Sequence, residues 1–180
     1  MTADVTTESA DLTSTREAFT NRLHFRVALV CAWLIFTSPW VSMFRGIPRD
    51  PGFFDLAHIA VGAAGLLLAV VYTYACTRRG RWRLYFPWSP AGLRIVGRDI
   101  TGLFHGRIPA AEGGGLFACI EGLLLILLLV TALTGAGWAL AQGSHAALTW
   151  REVHIVAAQV LTGLIIAHVV AVATHLRDLV

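Results

Sequence analysis

The chain has 180 residues, of which 56% are hydrophobic and 14% charged, and its formal net charge is +3. A mean hydropathy of +0.66 is too high for a soluble domain of this size. The composition therefore excludes an ordinary soluble protein and predicts an all-α integral membrane protein whose main partner is the lipid bilayer. We expect no nucleic-acid partner.

Four apolar stretches are each long enough to cross a bilayer as a helix, which takes about 20 residues. They predict helices at about residues 23–43, 54–76, 115–140 and 151–176, packed as one four-helix bundle domain over residues 21–180. Residues 1–20 are rich in Thr, Ser, Asp and Glu and lack the positive start and apolar core of a cleavable signal peptide. We expect them to form a disordered cytoplasmic tail.

The distribution of arginine predicts the orientation of the bundle. The long connection at residues 77–114 contains seven arginines, whereas the other two connections contain only Arg45, Arg49 and Arg151. The positive-inside rule places the long connection, and with it both termini, in the cytoplasm. Within that connection, residues 91–104 are compatible either with a short interfacial helix or with a solvated basic loop.

Four histidines lie within the apolar stretches, namely His24, His58, His154 and His168. Ionisable side chains inside membrane segments are costly, so each indicates a functional site. Imidazole is a common axial ligand of haem iron, and four histidines could hold two haems between the helices. The chain has three cysteines but no CxxCH motif, which excludes covalent c-type attachment.

The spacing of the histidines predicts two pairs. His154 and His168 are 14 residues apart, so they lie within about 40° of one helix face and about 21 Å apart in depth. His58 starts a helix that enters from the outer face, which makes it the natural partner of His154. His24 lies on the inner side and pairs with His168.

One alternative concerns depth, because His24 lies close to the start of its predicted helix. His175 would match that depth better, but it would place one haem at the membrane surface. If the first helix begins before Arg22, the mismatch shrinks, and we therefore predict His168 as the ligand. His105, His145 and His175 are predicted to be unliganded.

Charged and small residues near the histidines suggest further roles. Arg22, Arg26 and Arg151 are candidate partners for haem propionates, since arginine pairs strongly with carboxylates; alternatively they reach to the membrane surface without a partner. Gly62 and Gly163 could leave room for a flat macrocycle. Glu121, the one acidic residue inside an apolar run, is a weak candidate for proton exchange with a quinone, or it pairs with an arginine such as Arg26.

The histidine pattern resembles that of the bacterial cytochrome b561 family, whose superfamily includes the b-type subunits of nickel–iron hydrogenases, formate dehydrogenases and thiosulfate reductases. The matching residues are His24 in the segment Asn-Arg-Leu-His-Phe, His58, and the pair His154 and His168. The resemblance implies a bacterial cytoplasmic-membrane protein with two b haems. It also implies electron transport linked to ubiquinone or menaquinone.

Three functions remain open at this point. The first is an electron-transfer cytochrome that connects the quinone pool with a periplasmic or membrane-bound oxidoreductase subunit. The second is a stand-alone superoxide:quinone oxidoreductase, which the compact members of the family suggest. The third is a haem-free transporter that uses its histidines as a proton relay.

Overall fold

The computed structural model describes the backbone of residues 2–107 and 114–177 and the side chains of residues 18–107 and 114–173. In chain order its helices are α1 (Thr2–Thr37), α2 (Phe53–Thr77), α3 (Trp82–Tyr85), α4 (Pro90–Phe104), α5 (Leu116–Leu140) and α6 (Ala146–Arg177). Single 3-10 turns follow α1 at Ser38–Trp40 and α2 at Arg78–Gly80. Part of the predicted long connection, residues 108–113, lies outside the described residues.

Four of the helices in the described part of the chain are long and apolar enough to cross a membrane. These spans are Ala18–Trp40, Phe53–Gly80, Leu116–Leu140 and Ala146–Ala173. Only 11–17% of each span's most apolar stretch is fully buried inside the protein, and the remaining side chains are half-buried or exposed. The predicted all-α class with four membrane helices is confirmed.

The first helix differs from its predicted bounds at both ends. The backbone is helical from Thr2, where we expected a disordered tail, because residues 2–37 contain neither proline nor glycine to interrupt the helix. The helix ends at Thr37, before the predicted end near Met43, because Pro39 lacks the N–H needed to continue it. The fourth spanning helix begins at Ala146, a few residues before the predicted start near Arg151.

The four spanning helices pack in the order α1, α2, α5, α6. Along the α5–α6 contact, a Cβ on Gly137 would lie 2.7 Å from the Trp150 indole, so only glycine permits this close approach. Among the described residues, α6 keeps its Cα atoms more than 8 Å from those of α1 and α2 except at isolated positions. Side chains, and not close backbone approach, therefore make the contacts between α6 and the first two spans.

We call the end of the bundle with connections 38–52 and 141–145 the short-loop end. There the Asp55 carboxylate is buried and accepts hydrogen bonds from the Ser42 amide (2.7 Å), the Ser42 hydroxyl (2.8 Å) and the Gly52 amide (3.0 Å). Asp55 lies in the first turn of α2, where a negative charge also interacts favourably with the positive end of the helix dipole. This one side chain therefore fastens both ends of the connection onto the start of α2.

Two side chains from α5 and α6 hold the same connection from the other side. The Trp138 indole donates to the Phe44 carbonyl at 2.9 Å, and the Arg151 Nε donates to the Met43 carbonyl at 3.1 Å. Met43 and Trp138 form a small buried cluster with Ala147. The first connection thus links α1 and α2 to α5 and α6 at this end.

We call the opposite end, which carries residues 78–115, the arginine-rich end. Residues 91–104, for which a helix and a loop were both open, form the greater part of α4. The Ser89 hydroxyl accepts from the Gly92 amide at 3.1 Å and caps α4. The Asp99 carboxylate of α4 accepts from the Leu116 amide at 3.0 Å and so satisfies a free N–H at the start of α5.

The segment before α4 is packed tightly against α5. A Cβ on Gly122 would overlap the Tyr85 carbonyl oxygen and would lie 2.8 Å from the Phe86 ring. Gly122 is buried, and any larger residue there would push the connection away from the bundle. The glycine therefore sets how closely the connection covers the arginine-rich end of α5.

We expect Asp99→Ala to lower thermal stability, because it removes the acceptor for the Leu116 amide at the start of α5. Losing a helix N-terminal acceptor costs about 1 kcal/mol, which corresponds to a fall in Tm of about 2–4 °C for a chain of this size. Thermal unfolding in detergent measures this. The control is Asp50→Ala, which changes an exposed carboxylate in the first connection; an equal fall in both variants would contradict the assignment.

We expect Asp55→Ala to loosen the first connection without dismantling the helices. Limited trypsin digestion followed by mass spectrometry should show faster cleavage after the exposed Arg45 and Arg49. Glu152→Ala, which removes an exposed carboxylate at the same end, is the matched control. If cleavage after Arg45 and Arg49 is unchanged in Asp55→Ala, the three hydrogen bonds do not hold the connection.

Candidate functional site

The four membrane histidines form two pairs, each joining α6 to one of the first two spans. The rings of His58 on α2 and His154 on α6 have centroids 6.2 Å apart and an interplanar angle of 87°. The rings of His24 on α1 and His168 on α6 have centroids 6.5 Å apart at 61°. The structure brings together the same partners that the spacing and orientation predict.

The pairing of His24 with His168 follows from the unexpected length of α1. Because the helix continues back to Thr2, His24 lies well inside it and not at its first turn. This removes the depth mismatch that made His175 an alternative. The side chain of His175 lies outside the described residues.

Both ring separations suit two imidazoles that bind one metal ion from opposite sides. A metal–imidazole nitrogen bond is about 2 Å long and the ring centroid lies about 1 Å behind the nitrogen, so coaxial ligands have centroids about 6 Å apart. Each pair supplies two ligands, so it suits a metal whose other ligands come from a bound macrocycle, as in haem.

Two polar atoms at the pairs have no partner among the described residues. The Nδ1 atoms of His58 and His168 are buried and have no hydrogen-bond partner within the described structure. A buried nitrogen without a partner is costly. A metal between the rings would satisfy such a nitrogen only by coordinating it directly.

The backbone leaves room beside the histidines. Gly62 lies one turn after His58 on the same face of α2, and a Cβ placed on it would meet nothing within 4 Å. Gly163 also meets nothing within 4 Å, but it is exposed and lies nine residues after His154, on the opposite face of α6. The open position at Gly62 is the one that could leave room for a flat macrocycle beside a histidine pair.

His154 is held in one orientation by α5. Its Nδ1 lies 2.9 Å from the Thr131 carbonyl and 3.3 Å from the Thr134 hydroxyl. A carbonyl only accepts, so Nδ1 carries the proton and Nε2 is free to bind a metal. A hydrogen bond from the ring nitrogen that does not face the metal fixes the tautomer and ring orientation of a metal-binding histidine.

His24 is held in a similar way by a residue that sequence reasoning missed. Its Nδ1 lies 2.9 Å from the Tyr72 hydroxyl on α2. The spacing in the sequence could have indicated this residue, because Tyr72 follows His58 by 14 residues, just as His168 follows His154. Tyr72 therefore lies on the same face of α2 as His58 and at the depth of the second pair.

The predicted propionate partners occupy different environments. Arg22 and Arg26 are exposed on α1 on either side of His24, and neither forms an ion pair with a described carboxylate. Arg151 is half-buried, donates to the Met43 carbonyl and lies 4.9 Å from the centroid of the Phe44 ring. Arg22 and Arg26 lie at the same end as His24, and Arg151 lies one turn before His154. Their role toward haem propionates stays a prediction.

Glu121 is half-buried on α5 and does not pair with Arg26. It interacts electrostatically with His24 and with the hydroxyl of Tyr72. Tyr85 lies near the same carboxylate, and burial together with the neighbouring Cys76 thiol raises the pKa of Tyr85 to about 12, so its hydroxyl stays protonated at neutral pH. The arginine-rich end thus brings a carboxylate and two phenols close to one histidine pair.

The remaining histidines lie away from the two pairs. His105 follows α4, is exposed, and its Nδ1 lies 2.8 Å from the Thr101 carbonyl. His145 is exposed in the connection between α5 and α6. Neither faces a second imidazole within the described structure.

Comparison with known proteins identifies the family. No curated protein and no solved structure matches the chain. The family model described as prokaryotic cytochrome b561 matches residues 16–178, a range that contains all four spanning helices and both histidine pairs. The chain belongs to the prokaryotic cytochrome b561 family, and the family implies a membrane b-type cytochrome that contains haem b and transfers electrons.

Proposed function

We propose that this protein carries electrons across the bacterial cytoplasmic membrane between the quinone pool and a redox partner, with two b haems bound between its helices. The observation that carries the proposal is the pair of facing imidazole couples, 6.2 and 6.5 Å between centroids, at two levels of one helix. His154 and His168 are 14 residues apart on α6, a separation of about 21 Å along the axis. One couple lies near each end of the bundle.

Each residue of the couples has a stated task in this proposal. His58 and His154 would hold one haem iron, and His24 and His168 would hold the other. Haem would supply a reversible one-electron couple. The protein contributes orientation, through Thr131 and Tyr72, and an apolar surrounding that tunes the potential.

The quinone site is proposed at the arginine-rich end, beside Glu121. Reduction or oxidation of a quinone moves protons as well as electrons, so it needs a group that exchanges protons near the electron carrier. Glu121 is a half-buried carboxylate that interacts with His24 and lies within a membrane span. Ubiquinone and menaquinone both fit this chemistry. We place this end in the cytoplasm, by the positive-inside rule.

The redox partner is proposed to dock at the short-loop end, on the periplasmic side. Superoxide is the alternative electron donor there. Its steering would require an excess of positive charge, but the exposed Arg45 and Arg49 are balanced by the exposed Asp50 and Glu152. This balance favours a protein partner, a periplasmic or membrane-bound oxidoreductase subunit, over a small anion.

Each histidine couple should behave as a unit. Replacing His58 or His154 by alanine should remove the same haem, so haem content falls by about half and one wave of the redox titration disappears, because an iron held by one imidazole loses an axial ligand. Replacing His24 or His168 should remove the other wave. Pyridine haemochrome analysis and a redox titration in detergent measure both effects.

The matched control is His145→Ala, which changes an exposed histidine outside the couples. It should leave both waves intact. Purified protein without haem bands, or retention of both haems in all four single variants, would refute the proposal and would favour the haem-free proton relay.

Glu121→Gln should separate quinone chemistry from haem binding. We expect quinol-driven haem reduction to slow by roughly 100-fold, the order expected when a positioned proton-exchanging group is lost, with haem content unchanged. Stopped-flow absorbance with added quinol measures the rate, and Glu152→Gln at the other end is the control. An unchanged rate in Glu121→Gln would remove this residue from the quinone site.

A parallel measurement discriminates the electron donors. Rapid haem reduction by a superoxide source, followed by reoxidation on addition of quinone, would support the superoxide:quinone oxidoreductase. Slow reduction by superoxide combined with rapid exchange with quinol would support the electron-transfer cytochrome that we propose.

A further inference from the structure

Each histidine couple contains one ring that is held by a hydrogen bond and one that is not. In the couple at the short-loop end, His154 is bound to the Thr131 carbonyl, whereas the Nδ1 of His58 has no partner within the described structure. In the couple at the arginine-rich end, His24 is bound to the Tyr72 hydroxyl, whereas the Nδ1 of His168 has none. The held rings differ in the kind of acceptor, a backbone carbonyl in one case and a phenol in the other.

The contact between His24 and Tyr72 is specific in geometry. The Tyr72 oxygen lies 2.9 Å from Nδ1 of His24, and the two ring centroids are 5.9 Å apart. This leaves Nε2 of His24 as the nitrogen free to face His168. With Nε2 bound to a metal, Nδ1 carries the proton and donates it to the phenol oxygen.

A buried thiol lies one turn further along α2. Cys76 is only 1% exposed, and its sulfur interacts electrostatically with the Tyr72 and Tyr85 hydroxyls. A phenol that accepts from His24 still has its own proton to donate, and sulfur is a weak acceptor. The surroundings of the Tyr72 hydroxyl therefore include both His24 and Cys76.

We propose that Tyr72 is a positioning residue for His24, which fixes the ring of this ligand and lowers the reduction potential of the haem at the arginine-rich end. The inference rests on the proposed function, because it assumes that His24 binds haem iron. An imidazole that donates its second N–H to an acceptor becomes a more basic ligand. A more basic ligand stabilises the oxidised metal, and so it lowers the potential.

Tyr72→Phe tests the inference because it keeps the aromatic ring and removes only the acceptor. We expect the reduction potential of one haem to rise by about 30 mV. For a one-electron couple this corresponds to about a threefold change in the ferrous-to-ferric ratio. The other haem should be unchanged. The low-spin ferric signal of the affected haem in electron paramagnetic resonance should also shift or broaden, because His24 gains rotational freedom.

The matched control is Tyr74→Phe. Tyr74 lies two residues further along α2 and is 64% exposed, so loss of its hydroxyl should alter neither potential. Cys76→Ala is the second variant, because it releases the phenol without removing it and should shift the same haem in the same direction by a smaller amount. Should Tyr72→Phe fail to retain haem, Cys76→Ala decides: a raised potential supports the inference and an unchanged one overturns it.

The outcome for His24→Ala separates this inference from the proposed function. If His24→Ala loses one haem while Tyr72→Phe leaves both potentials and both resonance signals unchanged, Tyr72 only fills space and the inference is wrong. If His24→Ala loses no haem, His24 is not a ligand and the ligand assignment itself fails. A shift confined to the haem that His24→Ala removes supports both.

Discussion

The structure depends on how imidazoles are accommodated in an apolar medium. Inside a membrane a helix satisfies its own backbone, but a polar ring must find a partner or bind a ligand. Here four rings face one another in two couples, 6.2 and 6.5 Å apart, where α6 packs along α5 and approaches α1 and α2 through side chains. The fold therefore holds two imidazole couples within an otherwise apolar bundle.

The two ends of the bundle hold the helices at the depths that these couples require. At the short-loop end, Asp55, Trp138 and Arg151 bind the first connection to α2, α5 and α6. At the arginine-rich end, Asp99 caps α5, and Gly122 allows Tyr85 and Phe86 to pack closely against α5. Only a small share of each span is fully buried. The hydrogen bonds and close contacts at the ends therefore contribute much of the specific packing, and the middle of the bundle consists of helix contacts and the two couples.

The couples are alike in separation but unlike in surroundings. The backbone carbonyl that orients His154 is an acceptor that no side-chain substitution removes, whereas the phenol that orients His24 depends on one side chain and its sulfur neighbour. Glu121 interacts electrostatically with His24 of the second couple and with the Tyr72 hydroxyl that this ring meets. Two haems held by these couples, as proposed, would differ in potential, since ligand basicity and nearby charge set the potential of each.

The sequence by itself determined the class, the four spans and the histidine partners, because apolar length, arginine distribution and the helical rise of 1.5 Å per residue are local properties. It did not determine the length of α1, because the polar composition before residue 20 does not show whether the helix continues into that stretch. Nor did it show that Asp99 caps α5, that Glu121 stands apart from Arg26, or that Tyr72 meets His24. Those contacts join residues far apart in the chain, and only the packing of one helix against another decides which side chains come within hydrogen-bonding distance.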